Sequence, residues 1–281
     1  MPLHNNLKKI TENAVLLMAD KHQTDISMYS DSLIQNVIQN RMTVLSEDQH
    51  EKYFQFLAIT PEEAIQLNNS LSNSYSSFYR NPLTFAFLYQ YVLPRIIADK
   101  VNSNNNEIRI WSAGCAYGQE AYSLAMITDD LIKNTNTNAW FSIFATDKLT
   151  AELESARRGI YYSEDIKNVP HGYVEAYFQK KGETYTISDH IKKHVEFSEF
   201  DLLNSTTSAP PTSIFGDFDL VMCCNVLFYY KPAIQKMMLE KFNRSLTENG
   251  FLVTGEAETG IVNSAAGFRN YMSPAAIYRK R

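Results

Sequence analysis

The chain has 281 residues, of which 44% are hydrophobic, so it can bury one large core or a core of about 200 residues beside a smaller domain. Its formal net charge of −5 argues against general nucleic-acid binding, which requires clustered positive charge. The three cysteines form no disulfide framework, and no signal peptide or bilayer-spanning apolar run is seen, so we expect a cytoplasmic protein without membrane insertion.

The first part of the chain shows apolar residues at helical spacing and no alternation of strands with helices. Within it, Thr60 and Pro61 predict the start of a helix, with Thr60 as N-cap and Glu63 closing a capping box. We therefore predict an all-helical N-terminal domain over residues 1–75 and a second domain over residues 76–281. The first domain holds more acidic than basic residues, a balance that disfavours docking on an acidic surface.

The second part alternates runs of strand-forming residues with amphipathic helical segments, which is typical of an α/β fold with a mostly parallel sheet. The clearest predicted strands are 107–112, 140–145, 218–223 and 251–254. Short strands at 185–187 and 194–197 depart from the simple alternation. The histidines are scattered without helical ligand spacing, so we predict no metal site.

The most informative segment is 108–125, where a predicted strand passes through a turn of small residues into an apolar helix. Gly114 and Gly118 lie in the turn, and the helical pattern starts at Ala121. Such a unit forms the first half of a nucleotide-binding α/β fold, with free N–H groups at the helix start. The turn matches neither the dinucleotide pattern nor a phosphate loop, so a plain connection between strand and helix remains an alternative.

Polar residues stand at the predicted strand ends, where ligands bind in open α/β sheets. Glu120 begins the helix after the first strand, where it either caps backbone N–H groups or binds the positive end of a ligand. Asp147 follows the second strand and is placed to accept hydrogen bonds from ribose hydroxyls, the alternative being a helix cap. Asn225 ends the predicted central strand at the switch point of the sheet.

Five segments of the chain form an ordered set of motifs. They are Ser76-Ser77-Phe78-Tyr79-Arg80, the segment 111–123, Phe144-Ala145-Thr146-Asp147, Gly159-Ile160-Tyr161 and the segment 223–230. This set resembles the CheR family, the chemotaxis methyltransferases that esterify receptor glutamates. The resemblance covers nearly the whole chain and implies a Rossmann-like class I methyltransferase sheet after the N-terminal helical domain. It also implies S-adenosylmethionine as the cofactor.

The resemblance implies a cofactor site built from several strand ends and from the segment ahead of the sheet. Its residues are Ser74, Ser76, Arg80, Ala113, Gly114, Glu120, Asp147, Asp201, Leu202, Asn225 and Val226. Arg80 suits the methionyl carboxylate because a guanidinium binds both oxygens in one plane. Asp201 is assigned to the adenine amino group, the alternative being a turn residue.

The acceptor side of the site rests on two residues. Tyr229 matches the family's active-site tyrosine, and we predict that it orients the acceptor carboxylate. Arg95 is the second predicted catalytic residue, although a lone arginine on a helix is generally solvated. A carboxylate is already ionised at neutral pH, so its methylation needs no strong general base.

Three features depart from the family pattern and leave the acceptor open. Cys224 stands where the family usually has arginine, and Asn73 is displaced by one position. The segment 159–198 is too short for the full insertion that binds a receptor tether in the family, so we expect no such tether. We predict a carboxyl O-methyltransferase that uses S-adenosylmethionine, with a protein glutamate as the acceptor. A small-molecule carboxylic acid is the alternative acceptor, and a cofactor-binding regulatory module without turnover is the third interpretation.

Overall fold

The structure is a computed structural model that describes residues 2–72, 75–103, 105–204, 206–213 and 216–281, without the side chains of residues 2–7. The chain folds into two compact units. The first comprises Met1–Ser74 and Phe228–Gln235, and the second comprises Tyr75–Leu227 and Lys236–Arg281. Sequence reasoning did not assign 228–235 to the first unit, and the domain boundaries 1–75 and 76–281 stay a prediction.

The first unit contains helices whose apolar faces pack together. They are α1 (Pro2–His22), α2 (Asp31–Val44), α3 (His50–Ile59) and α4 (Pro61–Leu71). Each helix repeats apolar residues every three or four positions, so one face of each can be withdrawn from water. Buried side chains from these faces include Met18, Ile38, Leu57 and Leu67.

The start of α4 differs from the predicted capping box. Thr60 is the N-cap and Pro61 lies in the first turn as predicted, but no side-chain capping bond forms. The Glu63 carboxylate instead accepts hydrogen bonds from Arg41 Nε and Nη2, at 2.9 and 2.6 Å, and from Tyr53 Oη at 3.0 Å. A bidentate pair with a guanidinium is stronger than a single capping bond, so the tertiary contact replaces the local one.

Residues 228–235 join the first unit through backbone pairing. Tyr29 and Tyr230 form an isolated antiparallel bridge, and their stacked rings have centroids 5.3 Å apart. The Ser30 N–H donates to the Tyr229 carbonyl at 2.8 Å. These contacts hold the segment against the loop that precedes α2.

The second unit contains all the strands that the structure describes. In chain order they are β1 (Glu107–Ala113), β2 (Trp140–Asp147), β3 (Ile160–Tyr162), β4 (Phe178–Lys181), β5 (Thr184–Ile187), β6 (Val195–Glu199), β7 (Phe218–Cys223), β8 (Leu246–Thr254), β9 (Phe268–Met272) and β10 (Ile277–Lys280). Seven of them form one sheet in the order β6-β2-β1-β7-β8-β10-β9. The first five in this order are parallel, and β10 is antiparallel to both of its neighbours. Every residue of β7 is buried, as expected for a central strand that is covered on both faces.

The strand order of this sheet reverses between β1 and β7. The chain leaves β1 toward β2 and β6 on one side, and then crosses to β7 on the other side. Ligands bind beyond the carboxyl ends of the strands at such a reversal. The sheet has the Rossmann-like topology of class I methyltransferases, and the predicted fold class is confirmed.

The remaining helices flank the strands in sequence. They are α5 (Pro82–Phe87), α6 (Leu93–Asn102), α7 (Gln119–Thr135), α8 (Thr150–Arg158), α9 (His171–Tyr177), α10 (Asp189–Lys192), α11 (Pro232–Ser245) and α12 (Thr259–Asn263). A π-helical turn, Leu88–Val92, joins α5 to α6. Pro94 has no N–H to continue a regular helix, which explains the local widening. Among the described helices, none combines the length and the apolar character that a membrane span requires.

A second, antiparallel sheet forms between residues 160 and 187, in the order β3-β5-β4. This part of the chain therefore holds a small antiparallel sheet of three strands, more than the short strands expected from the sequence. Sequence reasoning found β5 but missed β3, which has only three residues. It also missed β4, which follows α9 directly, so no turn residues mark the boundary between them.

Candidate functional site

The turn after β1 approaches the ends of two neighbouring strands. The Gly114 and Cys115 N–H groups both donate to the Thr146 carbonyl of β2, at 2.8 and 2.9 Å. Gly114 has a φ of +79°, and a Cβ at this position would lie 2.9 Å from Val226 Cγ2. Any side chain would therefore strain the backbone and collide with the segment after β7.

A cleft that opens to solvent lies beside this turn. Its walls come from the segment before α5, the start of α7 and the end of β7. The lining residues are Tyr75, Ser76, Ser77, Arg80, Asn81, Phe85, Gly114, Glu120, Met222, Cys224 and Asn225. Five of the predicted cofactor residues meet here, namely Ser76, Arg80, Gly114, Glu120 and Asn225. The cleft therefore lies where the order of the strands reverses.

Glu120 lies in the first turn of α7 and lines the cleft. Its Oε1 accepts a hydrogen bond from Ser112 Oγ at 2.8 Å, and the Cys224 thiol also donates to its carboxylate. Burial raises the pKa of Glu120 to about 7, against the lowering effect of these hydrogen bonds and of the Arg80 charge. The cleft thus contains a carboxyl group that changes its charge near neutral pH.

Arg80 is exposed at the edge of the cleft and is held by its neighbour Tyr75. Its Nη1 donates to the Tyr75 carbonyl at 2.9 Å, and the guanidinium lies 4.9 Å from the centroid of the Tyr75 ring. A guanidinium has five N–H donors, and the Tyr75 carbonyl uses only one of them. The remaining donors can still bind a carboxylate. Ser74, the predicted cofactor residue that precedes this segment, and the displaced Asn73 lie outside the described residues.

Asp147 ends β2, and two backbone N–H groups hold its carboxylate. Oδ2 accepts from the Ala116 N–H at 2.9 Å, and Oδ1 accepts from the Leu149 N–H at 3.1 Å. These bonds fix the turn after β1 and the loop ahead of α8, which begins at Thr150. A carboxylate oxygen can accept two hydrogen bonds, so each oxygen of Asp147 can also accept one from a hydroxyl.

One buried carboxylate, that of Glu258, holds the loop after β7. Its Oε1 accepts from the Val226 and Leu227 N–H groups at 2.8 and 2.7 Å. Its Oε2 accepts from the Asn225 and Gly255 N–H groups at 3.0 and 2.7 Å. The side chain has no exposed surface, and burial raises the pKa of Glu258 despite these hydrogen bonds. A single residue therefore fixes the backbone beyond both β7 and β8.

Asn225 takes the left-handed conformation in this loop, with a φ of +61°. Its Oδ1 is buried and has no hydrogen-bond partner among the described residues. Gly255 allows the close approach of the two loops, since a Cβ there would lie 2.7 Å from Asn225 Nδ2. An unsatisfied buried acceptor costs about 1–3 kcal/mol, which a donor on a bound ligand would offset.

Asp201 and Leu202 follow β6 in a turn that Lys241 holds in place. Asp201 Oδ1 accepts from the Leu203 N–H at 2.9 Å, so Asp201 is a turn residue whatever else it binds. The buried Lys241 Nζ donates to the Leu202 and Asn204 carbonyls at 2.7 and 2.5 Å. In the described part of the chain, Asp201 and Leu202 are not among the residues that line the cleft. Sequence reasoning missed Lys241 because a helical lysine normally lies on the surface.

The remaining predicted residues have separate surroundings. Ala113 is the buried last residue of β1. Arg95 Nε donates to both carboxylate oxygens of Asp99 at 3.1 and 2.9 Å on the surface of α6, and Arg95 is not among the described residues that line the cleft. Tyr229 belongs to the first unit, where its ring centroid lies 4.4 Å from that of Phe228.

A family profile and several curated relatives point to one family. The sequence profile of the CheR methyltransferase SAM-binding domain matches residues 74–277. A chemotaxis protein methyltransferase of Borreliella burgdorferi is 31% identical over 230 residues, which cover 81% of this chain and 80% of that protein. One from Listeria monocytogenes is 29% identical over 244 residues, with 86% of each chain covered. One from Escherichia coli is 30% identical over 194 residues, which cover 68% of this chain and 62% of that protein.

Proposed function

Because the chain belongs to the CheR methyltransferase family and is therefore an S-adenosylmethionine-dependent methyltransferase, we propose that it methylates glutamate side chains of a chemotaxis receptor. The match of the family profile to residues 74–277 is the observation that carries this proposal. The relatives are named chemotaxis protein methyltransferases, which supports a chemotaxis protein as the acceptor.

The small sheet β3-β5-β4 supports a protein acceptor over a small-molecule acid. The family resemblance assigns the binding of a receptor tether to an antiparallel insertion in this part of the chain. The strand β4 is an edge strand of this sheet, and it carries the exposed residues Lys180 and Lys181. An edge strand can pair with an extended peptide through the main chain, and the two lysines favour an acidic peptide.

The residues of the cleft fit S-adenosylmethionine, which supplies a methyl group bonded to a positively charged sulfur. We assign Arg80 to the methionyl carboxylate and Glu120 to the ammonium group, with the unpartnered Oδ1 of Asn225 as a further acceptor. We assign Asp147 to the ribose hydroxyls and the Asp201 turn to the adenine. The small residues after β1 allow the backbone to approach the ligand closely.

Methyl transfer to a carboxylate requires that the residues of the site position the reactants, and it requires no proton transfer. A glutamate side chain has a pKa of about 4.3, so the acceptor oxygen is a carboxylate oxygen at neutral pH. We assign Tyr229 to orient this carboxylate through its hydroxyl. The binding residues align the acceptor with the methyl group and exclude water from the opposite charges, which is where the rate enhancement arises.

We further propose that residues 1–75 act as a separate helical domain and residues 76–281 as the methyltransferase domain. We also propose that the protein works in the cytoplasm. The cysteines Cys115, Cys223 and Cys224 are thiols rather than disulfides, which suits a reducing compartment.

Asp147→Ala is expected to weaken binding of S-adenosylhomocysteine by about 10- to 100-fold, since it removes charge-assisted hydrogen bonds to the ribose. It also releases the turn at Ala116. Isothermal titration calorimetry would measure the loss. Glu199→Ala is the matched control, because Glu199 is an exposed acid at the end of β6 that binds Thr150. Equal affinities for Asp147→Ala and the wild type would remove Asp147 from the cofactor site.

Affinity for S-adenosylhomocysteine is expected to fall as the pH falls through 7. With a pKa of about 7, Glu120 is about nine-tenths ionised at pH 8 and about one-tenth ionised at pH 6. Only the ionised form attracts an ammonium group, so the dissociation constant should rise roughly tenfold from pH 8 to pH 6. Glu120→Gln should bind more weakly at pH 8 and show a flat pH profile. A wild-type profile as flat as that of the variant would refute the assignment.

The acceptor can be identified with methyl-labelled S-adenosylmethionine, the purified protein and a lysate of the source cell. The products are separated by size and treated with alkali, which releases the methyl group of an ester as volatile label. Volatile label from the large products is the expected result and identifies a protein acceptor. Volatile label from the small products alone would replace the receptor with a small-molecule acid. No label in either fraction, with cofactor binding intact, would favour a regulatory module.

A further inference from the structure

A second cluster of ligating side chains lies away from the cleft. Asp129 of α7, His190 of α10 and His194, which precedes β6, each place one ligating atom within 4.8 Å of the other two. Asp129 follows the cleft residue Glu120 by nine residues, which is about 14 Å along α7. The two histidines are four residues apart, so the statement that the histidines lack helical ligand spacing is wrong.

The ring of His194 is oriented by a residue of β2. One ring nitrogen, Nδ1, hydrogen-bonds to the Phe141 carbonyl at 3.0 Å, and the two rings stack with centroids 4.2 Å apart. A carbonyl oxygen only accepts, so this hydrogen bond assigns the proton to Nδ1 and leaves a lone pair on Nε2. Metal-binding histidines are commonly fixed by a hydrogen bond of this kind on the other nitrogen.

Asp129 and His190 complete the cluster at the boundary between core and solvent. The Asp129 side chain is only 8% exposed, whereas that of His190 is 43% exposed. His190 Nε2 lies 2.8 Å from Asp129 Oδ1, and Lys133 Nζ lies 2.6 Å from Asp129 Oδ2. The Lys133 side chain is largely exposed, so it can move into solvent when another cation takes its place. An ion can therefore enter from the His190 side.

We propose that Asp129, His190 and His194 form a binding site for a divalent transition-metal ion, with zinc as the metal that this donor set suits best. Two imidazoles and one carboxylate are typical zinc ligands, and water would fill the fourth position. Donor atoms around a tetrahedral zinc lie about 3.3 Å apart, a spacing that small side-chain rotations would give. The ion would replace the charge of Lys133 beside Asp129.

Such an ion would act as a structural clip. It would tie α7 to α10 and to the start of β6, the strand that leads into the Asp201 turn. Its expected effect is therefore on the stability of the second unit, and it needs no part in methyl transfer. A cation that binds only the folded state raises the melting temperature.

The test uses the full chain stripped with a chelator and then titrated with zinc chloride. At zinc concentrations 100-fold above Kd, the melting temperature should rise by roughly 5 °C. Cobalt(II) should give the visible absorption of a tetrahedral complex. His190→Ala with His194→Ala should lose both signals. His171→Ala should keep both, because His171 is an exposed histidine outside the cluster.

Two further outcomes decide the assignment. An equal zinc response in the wild type and in the double histidine variant would overturn the proposed site, as would the absence of any response in the wild type. Cys224 and Glu120 in the cleft could also supply ligands to zinc. Cys224→Ala tests this alternative, and it should leave the zinc response unchanged. Asp129→Asn keeps the shape of the side chain, so it provides a ligand variant if the alanine variants do not fold.

Discussion

Glu258→Gln is expected to weaken cofactor binding by 100-fold or more and to lower the melting temperature of the protein. The glutamine amide keeps one oxygen but turns an NH₂ group toward two of the four backbone N–H donors. Each buried donor left without an acceptor costs about 1–3 kcal/mol, and the opposed N–H groups repel each other. The loop that carries Asn225 would then move, although Glu258 itself does not line the cleft among the described residues.

The effect of Glu258→Gln can be measured by calorimetric titration with S-adenosylhomocysteine and by thermal unfolding. Glu256→Gln is the matched control, because Glu256 is exposed and lies in the same short 3₁₀ helix as Glu258, Glu256–Glu258. It should behave like the wild type in both measurements. A Glu258→Gln protein with unchanged affinity and melting temperature would show that other contacts suffice to hold the loop.

Glu63→Ala is expected to destabilise the first unit by about 3–5 kcal/mol, because it leaves the Arg41 guanidinium partly buried without its carboxylate. The Glu63 and Arg41 side chains are 3% and 17% exposed. The substitution also removes the acceptor of the Tyr53 hydroxyl, which lies 3.0 Å from Glu63 Oε1. Urea unfolding followed by circular dichroism would measure the change.

Two control variants distinguish the loss of the Arg41–Glu63 ion pair from the general effect of removing an acidic side chain. Glu62→Ala removes the neighbouring exposed acid of α4, and it should change the free energy of unfolding by less than about 0.5 kcal/mol. Arg41→Leu combined with Glu63→Leu removes both charges and should recover much of the stability. If Glu63→Ala cost no more than Glu62→Ala, the buried pair would not stabilise the unit.

Most of the sheet could be predicted from the sequence because its strands are buried on both faces. Short apolar runs at 220–223 in β7 and 143–145 in β2 mark the strands, and the small residues around Gly114 mark the turn into α7. The strands of the small sheet were harder to find. Ile160 of β3 is 49% exposed, so this strand shows neither a continuous apolar run nor a clear alternation.

The supporting residues of the site could not be predicted because their partners are distant in sequence. Glu258 binds N–H groups 31 to 33 residues earlier in the chain, and Lys241 binds carbonyls 37 and 39 residues earlier. Glu258 also closes a capping box with the Gly255 N–H three residues earlier, but this local pattern does not reveal its contacts with residues 225–227. For Glu63 the local sequence does predict a contact, a capping box with Thr60. The carboxylate binds Arg41 instead, which lies 22 residues earlier in the chain.

The most direct test of carboxyl methylation uses receptor-containing membranes from the source cell. The membranes are incubated with the protein and isotopically methyl-labelled S-adenosylmethionine, and the labelled residues are identified by mass spectrometry. The expected result is labelled methyl ester on glutamate side chains of a chemotaxis receptor, lost after mild alkali and absent when the protein is omitted. Label on lysine or another nitrogen, stable to alkali and dependent on the protein, would contradict transfer to a carboxylate.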